Sequence, residues 1–285
     1  MLTPIKLIEC PRDAMQGLHD FIPTETKAAY INKLLKVGFH TLDFGSFVSP
    51  KAIPQMRDTK EVLSLLDLSE TKTKLLAIVA NVRGAEEAAS FPEISYLGFP
   101  FSISETFQQR NANSSIENAL LVVKEMHSIC EKKEKTLVVY LSMAFGNPYG
   151  DNWSVEILEN WASELIKLGV KILSIADTTG MATPEQISEV VAYLLNKFPQ
   201  IEWGVHLHST PFEAGKKIKA AYDAGCRRFD SAMMGFGGCP MATDELTGNI
   251  ATEELLAFLN HKEENLTIDN SKFNEARSLA VEIFS

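Results

Sequence analysis

Short apolar runs rich in branched residues alternate with longer stretches of helical period along almost the whole chain. Each short run has the length of a strand, and each longer stretch repeats its apolar residues every three or four positions. The pattern predicts eight strands, at residues 5–9, 41–44, 75–79, 94–98, 136–141, 172–176, 203–207 and 228–232. Helices are expected between them.

Local signals mark the ends of several of these helices. Thr24 is predicted to cap the first long helix and Gly38 to stop it, while Thr183 and Pro184 open a later helix in the same manner. The charged run at 131–135 is expected to be a solvated helix end. Residues 271–284 are expected to form a covering helix at the C-terminus.

The repeat indicates an α/β fold, and the number of repeats indicates which one. Eight strand and helix alternations fit a closed parallel (β/α)8 TIM barrel better than an open doubly wound sheet, which usually has fewer strands and a glycine-rich nucleotide loop. No GxGxxG follows the first strand. Residues 1–285 are therefore expected to form a single TIM-barrel catalytic domain with a short C-terminal helical extension.

Composition narrows the class of function. The chain has 285 residues, of which 45% are hydrophobic, and its formal net charge is -10, so its surface is expected to repel nucleic acid and anionic membranes. Its four cysteines show no close metal spacing and are expected to be reduced thiols. No targeting or membrane-spanning segment is evident, which makes the cytoplasm the expected location.

Polar residues gather where the predicted strands end, which is where TIM-barrel enzymes place their chemistry. Each one alone has a structural explanation, as an ion pair, a helix cap or an inert buried thiol. Their joint placement on one rim favours a shared site. These residues are Arg12, Asp13, Asp43, Asp177, His206, His208, Cys239 and Asn249.

The pair His206 and His208 indicates a metal site. Side chains two residues apart in a strand point to the same face, so both imidazoles can reach one ion, although histidines at a strand end also simply pack or hydrogen-bond. One carboxylate, two imidazoles and one amide oxygen suit Mg²⁺ or Mn²⁺ and leave about two octahedral positions for substrate oxygens. Zinc is less favoured, since structural zinc more often takes thiolates.

Six segments give the chain a resemblance to 3-hydroxy-3-methylglutaryl-CoA lyases, which belong to a wider set of metal-dependent TIM-barrel lyases and Claisen-type synthases. The likeness runs through nearly the whole chain. The segments are "ECPRDAMQG" (9–17), "SFVSPKAIPQM" (46–56), "ADTTGMATP" (176–184), "VHLHST" (205–210) and "GFGGCP" (235–240) followed by "TGNIATEEL" (247–255).

The resemblance implies a role for each matching residue. Asp13, His206, His208 and Asn249 take the positions of the metal ligands, and Arg12 lies beside the reacting thioester. Cys239 takes the position of the catalytic cysteine on a mobile loop. Asp177 matches an active-site aspartate, and Gln16, Asp43 and Tyr149 match pocket positions that contact substrate.

The reaction implied is the cleavage of 3-hydroxy-3-methylglutaryl-CoA to acetyl-CoA and acetoacetate, with Mg²⁺ or Mn²⁺ as cofactor. An acyl-CoA is the expected partner, and the resemblance implies a homodimer. Asp13, Asp177, His206 and His208 are all candidates for the base that takes the hydroxyl proton. Cys239 is the candidate donor to the product carbanion.

Three departures from the family pattern leave alternatives open. Asp43 stands where a glutamate is expected, and Ser209 stands where an aspartate usually follows the second histidine. The loop between Cys239 and Asn249 is also one residue longer. A Claisen-type synthase of the same fold and a catalytically silent barrel that binds acyl-CoA are the alternative interpretations.

Overall fold

Eight parallel strands close into a barrel in the computed structural model, which describes residues 3–238 and 247–284. Each strand pairs with the next along the chain, and β8 pairs with β1 to close the cylinder. The strands are β1 (Lys6–Glu9), β2 (Thr41–Phe47), β3 (Lys74–Val79), β4 (Ile94–Ser102), β5 (Thr136–Ser142), β6 (Ile172–Asp177), β7 (Glu202–Leu207) and β8 (Arg228–Ser231). The predicted TIM-barrel fold is confirmed.

Helices follow every strand and surround the barrel. They are α1 (Pro11–Gln16), α2 (Thr24–Leu35), α3 (Thr59–Ser64), α4 (Val82–Ala89), α5 (Glu105–Ala112), α6 (Ile116–Lys132), α7 (Val155–Lys167), α8 (Pro184–Lys197), α9 (Pro211–Asp223), α10 (Thr252–His261) and α11 (Asn270–Phe284). The last of these is the predicted covering helix, and it packs against α2. No helix among the described residues is both long and apolar enough to span a membrane.

The predicted helix caps are right at one position and wrong at another. Thr183 caps α8, because its side chain accepts a hydrogen bond from the Gln186 amide. Thr24 does not cap α2: it is the first helical residue, Pro23 precedes it, and the Thr24 hydroxyl donates to Asp58 at 2.8 Å.

The core has two parts because successive strand residues face opposite sides of the barrel wall. The large outer part lies between the strands and the helices. A small inner cluster of Leu76, Val138, Tyr140 and Ile172 comes from the alternate positions of β3, β5 and β6. Polar residues of β7, β8 and the segment after β1 continue above this inner cluster, at the C-terminal ends of the strands.

Candidate metal centre

The two histidines meet at the end of β7, as their spacing predicts. The Nε2 atoms of His206 and His208 lie 3.2 Å apart, and the rings stand nearly perpendicular with centroids 5.1 Å apart. His208 lies just past the last residue of β7, where its backbone bridges to Asn249. The chain after β8 is thereby brought alongside the imidazole pair.

Asp13 and Asn249 complete the set of four predicted ligands. Asp13 lies on α1, and one of its carboxylate oxygens lies within 4.8 Å of a ring nitrogen of each histidine. Asn249 Nδ2 donates to Asp13 Oδ2 at 2.6 Å and to the Phe236 carbonyl at 2.9 Å. Residues 236 positions apart in sequence are thus in direct contact.

A glycine fixes the path of the loop beside this cluster. Gly237 has a φ of +100°, and a Cβ atom there would lie 2.6 Å from Asn249 Nδ2 and 2.8 Å from the Asp13 carbonyl oxygen. A side chain at this position would push Asn249 away from Asp13, and the backbone conformation itself favours glycine.

Hydrogen bonds on the far side of each ring select the tautomer that can bind a metal. His206 Nδ1 lies 3.2 Å from Asp230 Oδ2, and His208 Nδ1 lies 3.0 Å from the Thr178 carbonyl oxygen. A carbonyl can only accept, so His208 carries its proton on Nδ1 and keeps the lone pair of Nε2 free. Such outer partners orient metal-binding imidazoles.

The electrostatics of the cluster suit a cation. Burial works to raise the pKa of Asp13, but the charge of Arg12, the two histidines and the Asn249 hydrogen bond outweigh it and lower that pKa to about 2. Burial, followed by the nearby His206, lowers the pKa of His208 to about 4. For His206, burial is outweighed by the hydrogen bond and charge of Asp230, which raise its pKa. Asp13 is therefore anionic and His208 neutral at pH 7.

Arg12 connects the cluster to Asp43 on β2. Its guanidinium donates through Nε and Nη2 to the Asp43 carboxylate, and through Nη1 to Asp13 Oδ1 at 2.9 Å. Gln16 Nε2 also donates to Asp13 Oδ1, at 2.8 Å. Burial raises the pKa of Asp43 to about 6, against the opposing effect of Arg12. Asp43 thus contacts Arg12, which lines the cavity, and Asp43 itself is not part of the described lining.

A cavity of about 270 Å³ opens directly above these groups. Its polar wall includes Arg12, Asp13, Gln16, His206 and His208, and its apolar wall includes Val48, Ile53, Ile78 and Pro100. Tyr140 stands edge-on to His206, with ring centroids 5.9 Å apart. The cavity therefore combines convergent polar groups with an apolar wall, as small-molecule sites commonly do.

The donor set in this cavity fits a divalent cation. Asp13, His206 and His208 are close enough to share one ion, and Asn249 contacts Asp13 through its amide nitrogen. One carboxylate and two imidazoles, with the amide of Asn249 beside them, make a mixed oxygen and nitrogen set. A possible metal-binding cluster is therefore present at the predicted place.

Two other predicted site residues, Asp177 and Tyr149, are not part of the described lining of the cavity. The Asp177 carboxylate binds Lys217 Nζ at 2.6 Å and the Ala182 amide. The Tyr149 ring stacks on Phe107, with centroids 6.4 Å apart. Cys239 lies outside the described residues. The roles suggested for these three residues stay predictions.

Two residues of the site, Asp230 and Lys217, were not predicted, although each has a recognisable signal in the sequence. Asp230 is a charged residue inside the apolar run of β8, and β7 and β8 pair His206 with Asp230 in register. Lys217 falls on the buried stripe of α9, between Ala214 and Ala221. A charge at a position that should be apolar is the informative sign in both cases.

Known proteins are similar to this chain in sequence. Hydroxymethylglutaryl-CoA lyase YngG of Bacillus subtilis is 34% identical over 249 residues, which are 87% of this chain and 82% of that protein. The (R)-citramalyl-CoA lyase of Chloroflexus aurantiacus is 30% identical over 259 residues, with 88% of this chain and 81% of that protein covered.

The likeness extends to a solved structure. The HMG-CoA lyase of Acinetobacter baumannii, in complex with coenzyme A and 3-methylmalate, has a TM-score of 0.90 at 29% identity, and the match covers 99% of this chain and 91% of that one. The HMGL-like family matches residues 5–280. With that extent of match, and with the barrel and its clustered donors as described, the chain belongs to the HMGL-like family.

Proposed function

We propose that this protein cleaves 3-hydroxy-3-methylglutaryl-CoA to acetyl-CoA and acetoacetate in a metal-dependent retro-Claisen reaction. The observation that carries the proposal is the convergence of Asp13, His206, His208 and Asn249 beside Arg12 in one cavity. The relatives named as lyases of hydroxymethylglutaryl-CoA support the same substrate.

Asp13, His206, His208 and Asn249 would hold the cation, with Mg²⁺ or Mn²⁺ as the expected ion. When bound, the ion would lower the pKa of the tertiary hydroxyl and fix the bond to be broken. The outer partners Asp230 and Thr178 keep both imidazoles oriented for this task.

The tertiary hydroxyl must lose its proton to a base before the carbon-carbon bond breaks. Asp13, His206 and His208 line the cavity, whereas the Asp177 carboxylate is engaged by Lys217. An imidazole that donates through Nδ1 and binds the cation through Nε2 has no lone pair left, so Asp13 is the candidate base among these three. Breaking the bond yields the ketone of acetoacetate and the enolate of acetyl-CoA.

Arg12 is the group suited to the enolate oxygen. It lines the cavity and is held in place by Asp43 and Asp13, so its charge is fixed before the reaction begins. The enolate carbon then needs a proton, for which Cys239 is the proposed donor. That assignment rests on the sequence motif alone.

Acyl-CoA binding is proposed on the same grounds, since the A. baumannii relative was solved with coenzyme A. The homodimer and the cytoplasmic location stay predictions. Light scattering of the purified protein would test the first, and fractionation of the source cells the second.

A cleavage assay tests the proposal. Purified protein stripped with EDTA is expected to be inactive on 3-hydroxy-3-methylglutaryl-CoA, and Mg²⁺ or Mn²⁺ is expected to restore formation of acetoacetate. His208→Ala should abolish the restoration. Release of free CoA thiol from an acyl-CoA and a 2-oxo acid would instead identify a synthase.

A second substrate separates the two lyase activities found among the relatives. Citramalyl-CoA offered to the same preparation would release pyruvate in place of acetoacetate. Turnover of citramalyl-CoA alone would contradict the proposed substrate, and binding of acyl-CoA with no turnover of either compound would contradict the enzymatic proposal.

A further inference from the structure

Lys217 on α9 is a buried ammonium group whose contacts all lead toward the metal centre. Its side chain is 3% exposed. Nζ lies 2.6 Å from Asp177 Oδ2, 2.8 Å from the Gly180 carbonyl oxygen and 2.9 Å from the His208 carbonyl oxygen. An ammonium has three protons, so every donor has an acceptor.

Through these three acceptors, Lys217 fixes both the donor side and the acceptor side of the hydrogen bond that orients His208. Thr178 lies between Asp177 and Gly180, and its carbonyl oxygen receives the proton of His208 Nδ1 at 3.0 Å. Lys217 therefore fixes the loop that offers the acceptor and, through the His208 carbonyl, the backbone of the residue that donates. The loop has further anchors, since the Met143 amide donates to the Thr178 hydroxyl at 2.9 Å and the Thr247 hydroxyl donates to the Thr179 carbonyl oxygen at 3.3 Å.

Packing alone does not account for a lysine at this position. Lys217 shares the buried stripe of α9 with Ala214, Ile218 and Ala221, where an apolar residue would serve a structural role. Burying an ion pair costs so much desolvation that apolar replacements of similar volume are often as stable or more so. The contacts of Lys217 with the His208 segment are what an apolar residue could not supply.

We propose that Lys217 is a positioning residue of the metal centre, which holds the His208 imidazole in the Nδ1-protonated tautomer with Nε2 directed at the ion. The inference rests on the proposed function, since it assigns a role to Lys217 through a metal ligand. It also assigns Asp177 to the same support, as the anchor of Lys217.

Three variants test the assignment. Lys217→Met removes the ammonium and keeps the length of the side chain. The double variant Asp177→Asn/Lys217→Met also removes the carboxylate that would otherwise be left buried without a partner. Lys216→Met is the matched control, because Lys216 lies on the same helix and its exposed side chain pairs with Glu213.

Mn²⁺ affinity, measured by electron paramagnetic resonance, is the first readout. Both variants of Lys217 are expected to bind Mn²⁺ about 10- to 100-fold more weakly than the wild type, as for other outer partners of metal ligands. Lys216→Met should bind normally. A double variant that recovers full affinity would show that Lys217 only neutralises Asp177 and would overturn the proposal, whether or not the single variant folds.

The tautomer of His208 in the metal-free protein is the second readout, obtained from ¹⁵N chemical shifts of the ring nitrogens. The wild type and Lys216→Met should show the proton on Nδ1, and the double variant a mixture of both tautomers. An unchanged tautomer in the double variant would refute the positioning role. A wild type that fails to bind Mn²⁺ would refute the proposed metal centre, while the tautomer still decides the role of Lys217.

Discussion

A single guanidinium, that of Arg12, supports both acidic residues nearest to the cavity. Asp43 and Asp13 each accept hydrogen bonds from it, and all three side chains are buried. The planar fork of arginine gives Asp43 paired bonds while a third N–H reaches Asp13, a fixed geometry that the ammonium of lysine cannot reproduce. The position and the charge of Arg12 are therefore both set by its neighbours.

The substitution Arg12→Lys should separate the effect of the charge of Arg12 from the effect of its position. The charge remains, but an ammonium cannot reproduce the paired bonds to Asp43 together with the bond to Asp13, so it will not stay where the enolate oxygen forms. Turnover is expected to fall about 100-fold, the usual cost of losing one fixed donor to an oxyanion. Steady-state kinetics with the proposed substrate measure this.

Metal binding provides the control for that experiment. Asp13 keeps its bonds to Asn249 and Gln16 in the variant, so Mn²⁺ affinity should change far less than turnover. Arg227→Lys makes the same substitution at the opposite end of the barrel and should leave turnover unchanged. Wild-type turnover in folded Arg12→Lys would remove Arg12 from the chemistry.

Sequence reasoning located the residues of the cluster but not all of their partners. Strand ends and the two-residue spacing of His206 and His208 were enough to bring Asp13 and the imidazoles to one place. The partner of Asp177 was not predictable, because Lys217 lies 40 positions away on a helix. Which carboxylate faces the cavity depends on such contacts, and the alternation of polar and apolar residues does not encode them.

At the scale of elements, β1 joins β8 and α10 through a buried acid. Glu9 is fully buried, and its carboxylate accepts from the Met233 amide at 2.7 Å and lies 2.6 Å from the Thr252 hydroxyl. Burial raises the pKa of Glu9 from 4.5 to about 8, although both hydrogen bonds oppose the rise. Glu9 is therefore mostly protonated in the folded protein at pH 7.

Stability should depend on pH through this group. The unfolded chain loses the Glu9 proton near pH 4.5 and the folded chain only near pH 8, so the folded state binds more protons in between. The contribution of Glu9 is thus complete below about pH 4.5 and falls as the pH rises to about 8. Glu9→Gln mimics the protonated acid and removes the dependence.

The variant is expected to match the wild type at pH 4.5 and to be about 2–4 kcal/mol more stable at pH 8.5. Urea unfolding at both pH values measures the difference. Glu86→Gln, on the exposed surface of α4, is the matched control, and its stability relative to the wild type should be the same at both pH values. An equal effect of Glu9→Gln at both pH values would contradict the protonated state.

The pattern of apolar and polar residues predicted most boundaries of strands and helices, and the boundaries that differ have local causes. β2 continues to Phe47 and β4 to Ser102, beyond the predicted ends at 44 and 98. Gly45 follows a register shift in β2, and Pro100 stays paired with Tyr140 of β5. The neighbouring strands supply the pairing that these residues do not favour alone.

At the scale of the molecule, the predicted ligands connect the two strands that close the barrel. Asp13 follows β1, Asn249 follows β8, and β1 and β8 are neighbours. The C-terminal helix adds to this contact, because the Phe284 ring stacks on Phe236 with centroids 4.8 Å apart. A cation among these ligands would bind the folded chain and not the unfolded one.

Metal addition should therefore raise the melting temperature. At a concentration of Mn²⁺ about 100 times its Kd, the folded state gains about 2.7 kcal/mol. For a chain of this size the gain corresponds to about 5 °C. Differential scanning fluorimetry with Mn²⁺ and with EDTA measures the shift.

His206→Ala and His208→Ala should each reduce this shift, because each removes one of the four proposed donors. Lys216→Met, which changes an exposed side chain of α9, is the control and should keep the full shift. An undiminished shift in both histidine variants would show that Mn²⁺ stabilises the protein from some other place.

The contact between Asp13 and Asn249 also sets the order of events in the cell. A ribosome delivers Asp13 236 positions before Asn249. Before the final strand has paired with the first, the four proposed ligands are not together, so an ion has no complete set of ligands to bind. A cation held by all four proposed ligands would therefore bind only after the cylinder has closed.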